Sequence, residues 1–246
     1  MRCLIVGASM PMPTFELKYE DTWLYRFMKS FPQLEVIDKC RRASSVERLV
    51  KEGMMSKGYD LLELYNPDFV ILHIGLTDAS PRLLPRKALF TKIINRLPFS
   101  KFIYNLVRKT KGRTMSCADL SPDQFYVCLE KYVTRAAERG VIVFCIKIAH
   151  CGSKVLKVSP EMNMAIDIYN SKYDELAANF ANVKVVDPLS PMADDELDSM
   201  LQTDGIHFMP KASNMCFENV KAAVIKEFGE IIANDKETYK ETDSLV

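Results

Sequence analysis

Five short apolar runs, separated by helical segments, constrain the fold of this chain more than any other feature. Each run is bounded by turn residues and is of the length and composition typical of a buried strand. Alternating strands and helices predict a parallel sheet with helices on both faces. We therefore expect an α/β domain with a three-layer, flavodoxin-like fold and a five-stranded parallel sheet. The runs are Cys3–Val6, Leu34–Ile37, Asp68–Ile74, Val141–Ile148 and Val183–Val186.

Sequence signals at helix ends mark the helices between these strands. Ser44-x-x-Glu47 and Ser121-Pro-Asp-Gln124 have the pattern of a capping box, and Gly140 follows the second helix. The remaining predicted helices have core-facing residues at helical spacing. They start near Asp21 (with Trp23, Phe27, Met28 and Phe31 inward), at Ser44 (to about Lys51), at Ser121 (to about Arg139), at Ser159 (to about Phe180, with Met164, Ile168, Tyr169 and Leu176 inward) and at Pro210 (to about Phe228), before a loose tail from about residue 229.

Composition predicts one domain over residues 1–246 and excludes several classes of protein. The 246 residues are 48% hydrophobic and carry a formal net charge of +1, so global charge points to no partner. Seven cysteines without a CxxC pair predict reduced thiols. We find no signal-peptide pattern and no apolar run long enough to span a bilayer. These features predict a cytoplasmic protein.

The sequence predicts neither a metal site nor a cofactor. His73, His150 and His207 are far apart and lack metal-ligand spacing. Gly7-Ala-Ser-Met-Pro11 matches neither a dinucleotide fingerprint nor a phosphate-binding P-loop, and its proline removes an amide donor. No recognised nucleic-acid-binding motif is present, so we expect no nucleic-acid partner. Oligomeric state is not predictable from the sequence.

Ser9 is the first candidate for chemistry. It follows the first predicted strand, at the carboxyl edge of the sheet, where ligands of open α/β sheets bind. At this position a serine is either a nucleophile or a turn and capping residue. Asp204-Gly-Ile-His207, in the loop before the last helix, can bring a carboxylate and an imidazole to the same cleft. An isolated pattern of this kind is also common in surface loops.

Taken together, these motifs resemble those of the SGNH (GDSL-type) hydrolases. Gly7-Ala-Ser9 matches the first family block at glycine and serine, and Gly75-Leu-Thr-Asp78 matches the third at glycine and aspartate. Asp204–His207 matches the last block fully, and Tyr169-Asn170 is also similar to the family. Tyr19-Glu-Asp-Thr-Trp23 and Ala79-Ser-Pro-Arg82 further resemble a subgroup associated with polysaccharide biosynthesis.

The resemblance implies a serine esterase mechanism with no cofactor. Ser9 would be the nucleophile, His207 the general base and Asp204 the residue that orients His207. The oxyanion would be bound by the backbone N–H of Ser9, by an N–H of Ala43 or Ser44, and by the side chain of Thr77. Gly75 and Asp78 of the third block, and Arg82 four residues after it, would contact substrate.

Three residues depart from the family pattern. Ala8 replaces the first-block aspartate, the loop Arg42-Ala-Ser-Ser45 lacks the second-block glycine, and Thr77 replaces an oxyanion asparagine. Removal of one oxyanion donor typically costs about 100- to 1,000-fold in rate. The resemblance therefore implies a complete triad beside an altered oxyanion hole.

Residues 79–118 differ in composition from the rest of the chain. They contain ten Lys or Arg residues and no Asp or Glu, interleaved with apolar residues. We expect one or two amphipathic helices broken near Pro98, with a loop at Lys109–Gly112. This basic insertion is either a solvated face over the core or a surface that contacts an anionic partner or membrane through residues 82–113.

Two functions remain open from the sequence. The first is an esterase or acyltransferase acting on a small acylated substrate, with a sugar or glycolipid as one candidate. The alternative is a catalytically weakened binding protein of the same fold that holds an anionic glycan or a lipid head group. The acyl group, the alcohol and the acceptor are not specified by any motif.

Overall fold

The computed structural model describes residues 1–50, 58, 61–82, 84, 89–110 and 118–243. Its strands are β1 (Arg2–Gly7), β2 (Glu35–Asp38), β3 (Phe69–His73), β4 (Ile142–Ile146) and β5 (Val183–Val186). All neighbouring strands are parallel, in the order β2-β1-β3-β4-β5. The predicted five-stranded parallel sheet is confirmed.

Helices cover both faces of the sheet, as the alternating pattern predicts. They are α1 (Trp23–Ser30), α2 (Leu76–Ala79), α3 (Leu89–Ile94), α4 (Ser100–Thr110), α5 (Pro122–Ala137), α6 (Ser153–Leu156), α7 (Met162–Asn179), α8 (Leu197–Met200) and α9 (Pro210–Asp243). Short 3-10 turns lie at Tyr19–Asp21, Val46–Leu49 and Asp194–Glu196. No helix of the described residues is long and apolar enough to cross a membrane.

The core consists of two apolar layers because successive strand residues point to opposite faces. One layer joins Leu4 and Val6 of β1 to α5 and α7, and the other joins Cys3 and Ile5 to α1 and α9. Phe125 of α5 and Trp23 of α1 are fully buried members of the two layers. The sheet is therefore held rigid on both sides, which fixes the loops at its carboxyl edge.

Three local predictions are corrected by the structure. The helix expected from Ser44 is a 3-10 turn capped by Ser45, because buried Val46 and Leu49 are spaced three residues apart, the period of such a turn. Met164 and Ile168 of α7 are exposed (52% and 36%), since they lie beside the buried stripe rather than on it.

The last helix does not end near Phe228 but continues to Asp243. After Gly229 this stretch contains no glycine or proline that would interrupt a helix. In the basic insertion, α3 and α4 are separate helices on either side of Pro98, as predicted. Lys109 and Thr110, predicted to begin a loop, instead belong to α4, and the rest of that predicted loop, 111–112, lies outside the described residues.

Candidate active site

A tight turn after β1 positions Ser9. The Ala8 N–H donates to the carbonyl oxygen of His73 at 2.9 Å, and the Ser9 carbonyl accepts from the N–H of Met12 at 3.0 Å. Glycine is required at position 7, since a Cβ there would lie 2.6 Å from Cγ of Pro11. These contacts hold Ser9 at the carboxyl end of β1, beside β3.

A short polar loop before α9 positions His207. The backbone N–H of Gln202 donates to the carbonyl oxygen of His207 at 2.7 Å, and Gly205, with φ +72°, donates its N–H to Gln202 at 2.8 Å. Oδ1 of Asp204 accepts from the N–H groups of Ile206 (2.8 Å) and His207 (3.0 Å). The Asp204 side chain therefore both shapes the loop and faces the ring of His207.

The loop that follows Ser9 is bonded to the His207 loop. The Thr14 hydroxyl donates to the side-chain carbonyl oxygen of Gln202 at 2.8 Å, and the Gln202 amide donates to the Phe208 carbonyl oxygen at 2.7 Å. Glu16 accepts from the N–H of Thr203 at 3.2 Å and from its hydroxyl. These bonds fix the distance between the two loops.

Ser9, His207 and Asp204 form a continuous hydrogen-bonded chain. Nε2 of His207 lies 2.8 Å from Oγ of Ser9, and Nδ1 lies 2.5 Å from Oδ2 of Asp204. An ionised carboxylate can only accept, so Nδ1 carries the ring proton and Nε2 is left to accept the Ser9 hydroxyl proton. The arrangement can activate Ser9 as a nucleophile.

The Asp204 carboxylate remains ionised in this site. Partial burial acts to raise the pKa of Asp204, but hydrogen bonds from the His207 ring and from the N–H groups of His207 and Ile206 outweigh it. The pKa of Asp204 therefore lies below its usual range. An ionised carboxylate at this position stabilises the imidazolium that forms when His207 takes a proton.

A small pocket opens beside Ser9. Its volume is about 20 Å³, room for roughly one water-sized group. Apolar side chains dominate the wall, with Thr77 and His73 as the polar members beside Ser9. The wall includes Ala8, Met10, His73, Thr77, Ile148 and Ile206.

His73 is a residue of this pocket that the sequence analysis does not assign to the site. Only 4% of it is exposed, and burial lowers its pKa to about 3, so the ring is neutral. Its ring packs near Trp23, with ring centroids 5.7 Å apart. The sequence signal that could have identified His73 is a titratable residue near the end of an otherwise apolar strand.

The predicted oxyanion residues are only partly brought together. Thr77 lines the pocket, and no acceptor among the described residues takes the N–H of Ser9. The Ser44 N–H instead donates to Arg41 at 3.1 Å, which corrects its predicted role as a free donor. Ala43 has a φ of +55°, and in the described part of the chain neither Ala43 nor Ser44 lines the pocket.

Gly75, Asp78 and Arg82, the residues predicted to contact substrate, make contacts within the protein. Asp78 is fully buried, and its carboxylate accepts from the N–H of Val46 at 3.0 Å. Gly75 is buried at φ +114°, and a Cβ there would lie 3.1 Å from the Tyr173 hydroxyl. These two residues hold the loops behind the pocket and do not line it.

Arg82 supports the same region from the other side. Its guanidinium donates to the carbonyl oxygen of Thr77 at 3.0 Å and to the Asp119 carboxylate at 2.9 Å. Arg82 thus holds the helix that carries Thr77. The ion pair also joins the two ends of the basic insertion close to the carboxyl end of β3.

A polar groove continues from the pocket along the ends of β4 and β5. Ile148 and Ala149 line both, and the groove has a volume of about 510 Å³. Asn170 fixes the shared wall, because its amide group accepts from and donates to the backbone of Ile148 (2.8 and 2.9 Å). The groove is lined by several polar side chains, among them Lys147, His150, Asp167, Asp174 and Asp187.

Serine, histidine and aspartate side chains joined by hydrogen bonds occur at the active sites of hydrolases of several unrelated folds. The match to a family model identifies the group among these hydrolases. Residues 17–213 match the GDSL-like lipase/acylhydrolase family, and the chain belongs to that family. The match begins after Ser9, so the position of this serine rests on the geometry given above.

Solved structures of esterases and acylhydrolases have the same fold at low sequence identity. A lipase/acylhydrolase from Enterococcus faecalis is 15% identical, with 92% of this chain and 97% of that chain covered at a TM-score of 0.61. The psychrotrophic esterase EstA from Pseudoalteromonas sp. is 12% identical (93% and 98% covered, TM-score 0.59). An acetyl xylan esterase from Geobacillus stearothermophilus is 14% identical (93% and 94%, TM-score 0.54). No curated protein sequence matches the chain.

Proposed function

We propose that this protein is a serine esterase that removes a small acyl group from a hydroxyl-rich alcohol. The observation that carries this proposal is the hydrogen-bonded chain from Ser9 through His207 to Asp204. A protein that only binds a ligand has no need of this arrangement. The unbroken hydrogen bonding from Ser9 to Asp204 therefore favours an esterase over a protein that only binds a ligand.

The proposed reaction has two steps. Ser9 Oγ attacks the ester carbonyl carbon while Nε2 of His207 takes the hydroxyl proton, and the tetrahedral intermediate then expels the alcohol, which receives that proton. Water, activated by the same imidazole, attacks the acyl-serine, releases the carboxylic acid and regenerates Ser9. The N–H of Ser9 and the hydroxyl of Thr77 are the proposed donors to the oxyanion.

The pocket beside Ser9 supports a short acyl group. A volume of about 20 Å³ accepts a methyl group far better than a long chain. Buried Ile148 and partly buried Ile206 form part of its wall, so a longer acyl chain would have to displace packed side chains. Acetyl esters are therefore the proposed substrates.

The polar groove supports a sugar or another polyol as the alcohol. Carboxylate and amide groups bind hydroxyls through hydrogen bonds, and Asp187 and Asn170 both line this groove. Its volume of about 510 Å³ falls in the range typical of small-molecule sites. The acetyl xylan esterase of the same fold acts on an acetylated sugar polymer, as its name states. The narrower resemblance to a polysaccharide-biosynthesis subgroup stays a prediction.

The experiment compares the wild type with Ser9→Ala on aryl esters of increasing acyl length. We expect hydrolysis of the acetate, a sharp decrease from butyrate to octanoate, and no activity above background in Ser9→Ala. Ser199→Ala is a matched control, since Ser199 is exposed and its hydroxyl donates only within its own turn. A fluorophosphonate probe should label Ser9 alone.

Wild-type protein that hydrolyses none of these esters and takes no label would contradict the proposal. Equal activity in Ser9→Ala would assign the chemistry to another residue. An acetylated sugar with glycerol added as a competing acceptor separates hydrolysis from acyl transfer, because transfer yields acetylglycerol in place of acetate.

A further inference from the structure

Residues 89–110, the longest described stretch of the basic insertion, present aromatic side chains to solvent. Phe99 is 54% exposed and Phe102 is 69% exposed, and Ile93 of α3 is 53% exposed. Leu106, one turn after Phe102 on α4, is 53% exposed. Large apolar side chains clustered on one surface are uncommon in a soluble domain unless the surface meets a partner. We call residues 89–110 the basic surface.

The charge of the basic surface has a single sign. It contains five Lys or Arg residues (92, 96, 101, 108 and 109) and no Asp or Glu. Arg96 and Lys101 are exposed beside the exposed phenylalanines. The whole chain has a net charge of only +1, so this is a local concentration of positive charge. A partner that complements it is anionic.

The spacing of these residues along α4 separates an apolar side from a cationic side. Phe102 and Leu106 are four residues apart on α4 and therefore share one side of the helix, and Phe99 lies in the turn directly before it. Lys101 is one residue before Phe102 and therefore lies about 100° away around the helix axis. Helices with aromatic residues on one side and Lys or Arg beside them bind flat in the interface of anionic bilayers.

We propose that the basic surface docks on an anionic phospholipid bilayer. The phenylalanines enter the boundary between head groups and acyl chains, while the exposed side chains of Arg96 and Lys101 contact lipid phosphates. A nucleic acid could complement the positive charge, but it would leave Phe99 and Phe102 without an apolar environment. The exposure of both aromatic residues therefore favours the bilayer.

Attachment at this surface would bring the candidate active site close to the membrane. The ion pair between Arg82 and Asp119 (2.9 Å) joins the ends of the insertion, and Arg82 also bonds to Thr77 of the pocket. The insertion therefore leaves and rejoins the domain next to the pocket. This placement suits a substrate that is itself bound to a membrane.

The test is co-sedimentation with vesicles of phosphatidylcholine alone or mixed with phosphatidylglycerol. We expect binding to the anionic vesicles to be at least about tenfold stronger, and to weaken at high salt as charge screening requires. The double variant Phe99→Ser/Phe102→Ser should lose most of this binding. Lys101→Gln should lose part of it.

Matched controls distinguish the effect of this surface from the effect of removing an exposed apolar or cationic side chain elsewhere. Phe15→Ser removes a fully exposed phenylalanine elsewhere, and Lys226→Gln removes an exposed cation of α9, so both should bind as the wild type does. The Ser9→Ala variant should also bind normally, because docking does not depend on the proposed esterase activity. Equal binding to both vesicle types, unchanged binding of the double phenylalanine variant, or tighter binding to single-stranded nucleic acid would overturn the proposal.

Discussion

The Oγ atom of Ser9 lies 2.8 Å from Nε2 of His207, although 198 residues separate them in the sequence. Ser9 follows the first strand, and His207 lies three residues before the start of the final helix, which packs on the same face of the sheet as α1. The contact exists because the chain, after forming the fifth strand, returns to the carboxyl end of the first strand. Geometry of this kind makes the site sensitive to single side-chain changes.

Asp204→Asn should lower kcat by about 1,000- to 10,000-fold, because the amide no longer holds the proton on Nδ1. The asparagine oxygen can still accept from the N–H groups of Ile206 and His207, so the loop should keep its shape. Steady-state kinetics and a melting curve check both statements. Asp198→Asn is the control, as Asp198 accepts from Ser153 away from the triad. A loss of kcat matched by a large fall in Tm would point to the loop rather than to the tautomer.

Thr77→Val should lower kcat for an aryl acetate by about 100-fold, the cost of losing one oxyanion donor. Valine keeps the shape of threonine but cannot donate. Thr77→Ser keeps the hydroxyl and should retain much of the activity, which makes it the matched variant. Arg82 bonds to the backbone carbonyl oxygen of Thr77 and not to its side chain, so both variants should fold. Equal kcat in Thr77→Val and wild type would mean that the hydroxyl does not contact the oxyanion.

Asp78→Asn should change the pH dependence of stability. Burial raises the pKa of Asp78 to about 6 from 3.8, so the folded protein loses stability as pH rises through this range and the carboxyl group ionises. Asparagine cannot ionise and can still accept from the Val46 N–H. The stability of the variant relative to wild type should therefore increase by about 2.5 kcal/mol between pH 4 and pH 8. Urea unfolding at both pH values measures this, and a constant difference would contradict it.

His73→Gln should have the opposite effect on the acid side. Burial lowers the pKa of His73 from 6.5 to about 3, so protonation favours the unfolded chain, and wild type loses stability as pH falls from 6.5 toward 3. Glutamine does not titrate. Below pH 6 the wild type should lose about 1 kcal/mol per pH unit relative to the variant. Parallel stability curves for the two proteins would show that His73 is not buried in neutral form.

The strands, the helix layers and the pair Asp204–His207 were predictable because each depends on local pattern. Val183–Val186 forms a strand with the predicted limits, and Ser121 caps α5 as its sequence indicates. Burial along α7 was harder to predict: Met164 and Ile168 are apolar, yet a helix has more apolar positions than its core contact can cover.

The roles of residues around the pocket were not predictable in the same way. Sequence position put Asp78 and Arg82 near the site, but their partners, Val46 and Asp119, come from distant segments. His73 is a titratable residue in an apolar strand, but its place in the wall of the pocket follows only from the tertiary structure. Such roles depend on tertiary contacts, which a one-dimensional pattern does not contain.

The bonds from Thr14 and Glu16 to Gln202 and Thr203 make the Ser9 loop and the His207 loop one cooperative unit. Opening of either loop breaks the same contacts, so local unfolding separates nucleophile from base in a single event. On heating, the hydrogen bonds among Ser9, His207 and Asp204 would therefore be lost together, while the buried strands still hold the sheet together.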